Sequence, residues 1–467
     1  MSQYFDLVKK MSFLRNGGTD DELRAANILL EEIEKGGGKG ELMDFQIPYF
    51  NLEKYSMKVV APYEQEIETL PYGRSGCLPE GGVDLKLYYA ERGVAEDYVG
   101  IDDLSDTVVL LNELHLDMYR LLCEKNAAAF MVIQGKWWNN SENSDFLQRH
   151  LREEYETFPK KIPGFYIWAK DATELIRNKA EVIHLELRET EYDATSRNVL
   201  ATIPGTRFPE ESIVITAHYD SVLVGSGAWD NATGSAAIMY IYHHFLKNPP
   251  LRTLRFIWCG AEEQGLLGSK AYIKKYPEIV KQIKFCFNFD MCGTVLGPNS
   301  VFVTGGDDLK HYAEQYCGEV GMRAAIHVGV HSSDSAPFAD KGIPSLGLSR
   351  GTRTAEIHTR NDQMFPLSAE QLEKDSEFAY NFISKMANAV RLPVATSLDD
   401  KMKAEVDKYF AKDKIYKKRG RREKIVPQKR MRKSPVFYKT GDFFCFFFGF
   451  YPSFSAVFSR FFRSHST

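Results

Sequence analysis

The sequence predicts an α/β fold, with a largely parallel sheet covered by helices on both faces and a smaller strand-rich lobe alongside. Three observations carry this. Between residues 196 and 392, apolar runs of strand length alternate with segments of helical periodicity. Those runs are apolar throughout, as strands buried on both faces of a parallel sheet must be. Residues 58–190 differ in texture, with short β-like runs joined by brief helices.

In chain order, "TDDELRAANILLEEIEKGGGKG" reads as a helix, with Thr19 as N-cap and a stop at Gly36, Gly37 and Gly38. The strand "GELMDFQIPYF" follows. The lobe contributes "SMKVVA", "VDLKLYYA", "TVVLLNE", "AAAFMVIQG" and "IPGFYIWAK". The strands of the main domain are "SRNVLATIPG", "SIVITAH", "TLRFIWCG", "IKFCFNFDM", "SVFVTGG" and "PSLGLSRG". Helical segments such as "GSAAIMYIYHHFLK" and "DLKHYAEQYCGEVG" separate them, and "AEQLEKDSEFAYNFISKMANAV" closes the domain. Past residue 395 the pattern breaks into a basic run at 417–433 and a Phe-rich end. A basic segment followed by aromatics can address an acidic membrane surface or nucleic acid; here it reads as a disordered extension. The expected division is a catalytic domain of 1–57 and 191–395, an inserted domain of 58–190, and an extension of 396–467.

The 467 residues are 44% hydrophobic and 26% charged, with a net charge of -4, which argues against a nucleic-acid binder as a whole. Seven cysteines without paired spacing suit a reducing compartment better than a disulfide scaffold. No apolar stretch of signal-peptide length opens the chain, and none reaches the ~18 residues of a membrane helix. The expected location is cytoplasmic.

Functional groups in such sheets collect at the carboxyl ends of the strands. His218 ends "SIVITA", Glu262 and Glu263 follow "TLRFIWCGA", Asp290 ends "IKFCFNF", and His358 lies past "SLGLSRG". Asp230 sits in the loop after His218, just before a helix. A lone Asp there is more often an N-cap than a ligand. Carboxylates and imidazoles converging from five places are harder to explain as turns, because uncompensated carboxylates in one cleft repel each other and divalent cations compensate them. The candidate ligands include no Cys, which is a catalytic rather than a structural zinc composition. Two metals about 3.5–4 Å apart, bridged by one carboxylate, would lower the pKa of a water held between them. Of the adjacent glutamates in "AEEQG", one reaches the metal and the other takes the proton. In "HYD", Asp220 fits the carboxylate that orients His218.

The pieces "HYDS", "GAWDNATG", "GAEEQGLLGS", "NFDMCG", "SSDSAPFADKGIPS" and "IHTRND" together resemble the co-catalytic zinc exopeptidase family that includes aminopeptidase Y and glutamate carboxypeptidase. The resemblance covers roughly 196–392. It implies a three-layer sandwich with a mostly parallel, mixed central sheet. It also implies two divalent metal ions, expected to be zinc: His218, Asp230 and Asp290 on one, and Glu263, His358 and the shared Asp230 on the other. Glu262 would be the general base, Asp220 the support of His218, and the Asp230-Asn231 peptide would be cis. Residues 58–190 are similar to the family's protease-associated insertion.

The implied activity is aminopeptidase action on peptides. A glutaminyl-cyclase-like single-zinc acyltransferase, and carboxypeptidase or dipeptidase specificity on the same site, are the alternatives. A catalytically dead scaffold would have lost ligands, and every ligand is present. The implied partner is a peptide substrate, with no nucleic acid and no transmembrane segment; a homodimer is left open. One departure stands out: many relatives place a Tyr before the last metal-binding His, and this chain has Ile357. Ser333, Asp334, Arg350 and Arg353 are candidate substrate contacts.

Overall fold

The computed structural model describes residues 2–351 and 356–419. Its strands are β1 (Gly40–Ala61), β2 (Gln65–Glu66), β3 (Thr69–Pro71), β4 (Val83–Ala90), β5 (Thr107–Leu111), β6 (Ala129–Gln134), β7 (Gly164–Trp168), β8 (Val182–Ile203), β9 (Phe208–His218), β10 (Arg252–Cys259), β11 (Ile283–Phe289), β12 (Asn299–Thr304), β13 (Ala324–Val328) and β14 (Ser345–Arg350). They form one sheet in the order β13-β12-β14-β11-β9-β10-β8-β4-β5-β6-β7-β3, with β1 paired to β8. At the centre, β9 runs parallel to β10 and β11, and β11 to β14. The β8–β10 and β12–β14 pairs are antiparallel, so the sheet is mixed.

Helices cover both faces. Asp20–Lys35, Thr233–Lys247 and Ala369–Asn388 bury Leu29, Ile238, Ile241 and Phe382 on one side. On the other, Tyr272 and Val280, from helices Leu267–Lys275 and Pro277–Gln282, pack with Val214, Ile257 and Phe338. Both faces of the central strands are thus dry, which accounts for their continuous apolar runs.

Strands β1 and β8 are longer than their apolar runs suggest. They pair antiparallel from Gly40↔Ala201 to Ala61↔Val182. Their middles, "NLEKY" and "RETEYD", are polar, because a two-stranded ribbon satisfies its backbone in the ladder while its side chains meet water. The boundaries expected near 57/58 and 190/191 fall inside these strands, so the lobe and the main sheet are continuous. In the lobe, Val108 and Leu110 of β5 face one apolar cluster while Val109 and Leu111 face another. That alternation shows that both faces of the lobe sheet are also buried.

The extension expected from 396 onward departs from expectation at its start. Leu398 and helix Asp400–Arg419 bury Met402, Val406 and Phe410 with Leu398 against Leu266, Ala336 and Ala339. Asp399 caps the helix, accepting from the Met402 amide at 2.7 Å. The apolar stripe recurs every fourth residue among lysines and acids, which lowers mean hydropathy without breaking the helical face. The Phe-rich end and most of the basic run lie outside the described residues. Among the described residues, no helix is long and apolar enough to cross a membrane, and the six described cysteines are free thiols.

Thr19 is the N-cap, accepting from the Glu22 amide. Glu22 itself is fully buried; it accepts from the Gly18 amide at 2.8 Å and from the Ser196 hydroxyl. Burial pushes its carboxyl from the usual 4.5 up to about 8. The folded state therefore holds a proton that the unfolded chain has lost, and stability falls as pH rises from about 4.5 to about 8. A rise of even one pH unit corresponds to about 1.4 kcal/mol. Glu22→Gln keeps an acceptor for Gly18 and is expected to raise the melting midpoint at pH 8 while changing it little at pH 5. Parallel loss at both pH values would refute this.

Candidate metal centre

Parallel pairing brings the carboxyl ends of the central strands to one level. His218 ends β9 opposite Cys259 at the end of β10, and Thr216 pairs with Asn288 shortly before Asp290. Glu262 and Glu263 follow β10, and their amides donate to the two oxygens of Asp220 at 3.0 and 3.3 Å. Asp220 was expected only to orient His218. Its Oδ1 does lie 3.6 Å from His218 Nδ1, but the nearer partner of that nitrogen is the Asp220 carbonyl at 3.2 Å. The buried carboxylate thus holds the glutamate loop as well as the imidazole.

The loop carrying Asp230 folds back on glycines. Gly225 sits at φ +87, and a Cβ there would lie 2.1 Å from the Thr359 carbonyl; only glycine permits that contact with the His358 loop. Asp362 accepts from the amides of Trp229 and Asp230 at 2.8 and 3.0 Å. Arg15, fully buried, donates to the carbonyls of Tyr219, Ser226 and Gly227. The Asp230-Asn231 peptide is cis. Asn231 donates to the Phe289 carbonyl and accepts from the Met291 amide, tying this loop to the end of β11.

Asp230 stands between the two histidines. Its Oδ1 is 3.1 Å from His218 Nε2, and its Oδ2 is 3.1 Å from His358 Nε2. Asp290 Oδ1 approaches His218 Nε2 at 3.6 Å, and Glu263 Oε1 approaches His358 Nε2 at 3.2 Å. Ligand atoms of His218, Asp230 and Glu263 all lie within 4.8 Å of one another. Glu263 Oε1 is buried and has no hydrogen-bond partner among the described residues. Imidazoles and carboxylates converging on one point, with a buried oxygen left over, fit a divalent cation. All five expected ligands and Asp220 are brought together.

Residues 198–383 match Peptidase family M28. The matched stretch includes all five expected ligands. The chain is 26% identical over 410 residues to aminopeptidase YwaD of Bacillus subtilis, covering 85% of this chain and 86% of that protein. Among solved structures it resembles the aminopeptidase from Aneurinibacillus sp. strain AM-1, with a TM-score of 0.70, 21% identity and coverage of 85% and 96%. It also resembles BSAP, a zinc aminopeptidase from Bacillus subtilis, with a TM-score of 0.69, 22% identity and coverage of 85% and 98%. These share its fold over almost their whole length.

The charges of this site do not balance unless it holds protons. Burial pushes Glu262 well above its usual range, and Glu263, Asp334 and Asp290 add to this against the opposing His218. Burial lowers His358, but Glu263 and Asp230 outweigh it and hold the imidazole up to about 11. A divalent cation replaces such protons, so metal uptake by a site of this kind releases them.

The other candidates separate clearly. Arg350 donates to the Thr294 and Val295 carbonyls and to Asn299, so it ties loops together. Asp334 is buried with neither oxygen in a hydrogen bond among the described residues, and burial raises its carboxyl to about 6. Ser333 shares a hydrogen bond with Ser335. Neither Ser333 nor Asp334 lines the cavity beside the site. Arg353 lies outside the described residues. Ile357 packs against the main core and offers no donor. Sequence reasoning missed Arg15 and assigned no role to Asn231 or Asp362, although both lie inside quoted motifs. A cavity of about 290 Å³ opens from Glu263 and His358 toward Tyr72 and residues 147–152 of the lobe.

Proposed function

We propose that this protein is an M28 aminopeptidase working through two zinc ions, and the position of Asp230 carries the reading. Each of its oxygens faces a different imidazole, each paired with its own carboxylate. His218 and Asp290 would hold one ion, His358 and Glu263 the other, and Asp230 both. Bound there, zinc supplies Lewis acidity that polarises a carbonyl and makes water a better acid. Glu262 makes no ion pair or side-chain hydrogen bond among the described residues and is free to move a proton. It takes one from the attacking water and returns it to the leaving amine. The acidic surplus of the site suits the substrate's free α-ammonium. Residues 58–190 act as a protease-associated lobe that forms the far wall of the cavity.

Chelator-treated protein is expected to lose hydrolysis of leucine p-nitroanilide and to recover it on adding zinc to about two ions per chain. N-acetylation of the substrate should abolish turnover. Full activity at one zinc per chain, or equal hydrolysis of the acetylated substrate, would overturn the proposal.

A further inference from the structure

The cavity has two electrically different ends. One is the acidic cluster ending at Glu263 and His358; the other includes Arg149, His150 and Arg152 from the lobe. That lobe segment is held in place. The Gly73 amide donates to the Arg149 carbonyl and the Leu151 amide to the Gly73 carbonyl, each at 2.9 Å. Leu151 is buried, and Phe146 stacks on Trp168 at 4.0 Å. Asp145 forms an ion pair with Arg360, just beyond His358, so the segment is clamped to the loop that carries a metal-site histidine.

The positive charge of this wall is unspent. Arg74, also close to His150, is paired with Glu156 and Glu191. Arg149 and Arg152 make no ion pair or side-chain hydrogen bond among the described residues. Glu154, on the same wall, pairs with neither. Arg152 reaches across from the lobe: its Cζ lies 3.8 Å from where a Cβ on Gly265 would be, over the loop that bears Glu262 and Glu263. Burial, Arg152 and Arg74 hold His150 down to about 4, so it is neutral at pH 7 and presents a ring without adding charge.

An unpaired guanidinium on a cavity wall is a ready bidentate partner for a carboxylate. We infer that Arg149 and Arg152 form a subsite for a substrate carboxylate, while the α-amine sits at the acidic end of the same cavity. The carboxylate comes either from the side chain of an acidic N-terminal residue or from the C-terminus of a dipeptide. The inference rests on the aminopeptidase reading for the amine's position.

Calorimetric binding to the zinc-loaded Glu262→Gln protein tests it without turnover. Gln-Leu-amide is the reference, Glu-Leu-amide carries only the side-chain carboxylate, and Gln-Leu carries only the terminal one. At least one acid is expected to bind about tenfold tighter than the reference, and which one identifies the source. Arg149→Gln with Arg152→Gln should bring that ratio to within about twofold, while lysine at both positions keeps part of it. Unchanged zinc content and melting midpoint show that the variants are folded. Equal binding of acids and amide, or a preference that survives the double substitution, overturns the subsite. Failure of the aminopeptidase reading shows separately, as absent zinc-dependent hydrolysis of leucine p-nitroanilide by the wild-type protein.

Discussion

Asp230→Ala is expected to leave a folded protein that retains less than one zinc per chain after dialysis and shows no measurable peptidase activity. Asp230 is the residue whose two oxygens face both imidazoles at 3.1 Å. On the proposed two-ion reading, its removal would take a ligand from each half of the centre and leave His218–Asp290 and His358–Glu263 unlinked. Loss of a supporting residue around a metal typically costs about 10–100-fold in affinity or activity, so loss of the shared ligand should exceed that range. The fold should persist because Asp362 holds the loop through the backbone amides of Trp229 and Asp230, which alanine keeps. Zinc content by elemental analysis decides the matter. Retention of the wild-type stoichiometry would mean that Asp230 is not shared.

Glu262→Gln is the complementary case: zinc content near that of the wild type, with kcat lower by about 10²–10⁴. Glutamine preserves volume and polarity but cannot take a proton. The substitution spares the Glu262 amide bond to Asp220, and with it the placement of Glu263. The pH profile gives a second readout. Burial and the neighbouring carboxylates raise the Glu262 carboxyl, whereas cations nearby lower it. Because the base must be ionised, kcat/KM should rise with pH through its pKa. In Glu262→Gln, that acidic limb should flatten. A variant with near-normal kcat and the same limb would remove Glu262 from the proton path.

Much of the site was legible because the end of a strand is a local property. His218, Glu262, Glu263 and Asp290 each stand where an apolar run stops, and parallel pairing does the rest. Gly36 was equally legible as a helix stop, and Thr19 as a cap. The continuity of β1 with β8 was not, since a polar stretch in a ribbon looks like a loop until its partner is known. The helix Asp400–Arg419 was hidden for a related reason. Its narrow stripe of Met402, Val406 and Phe410 gains meaning only against Leu266, Ala336 and Ala339.

The sequence by itself therefore determined which carboxylates and imidazoles converge and the sheet's dry centre, because periodicity and strand ends are written within a few residues. Only the tertiary structure decided what holds them. Arg15, far from the site in sequence, braces the Asp230 loop, and Gly225 meets the Thr359 carbonyl. Asp220 binds the glutamate loop through two amides, and Arg149 and Arg152 arrive from the lobe to close the cavity. Each of these is a contact between distant segments, set by the order in which strands join the sheet, and no local pattern encodes that order.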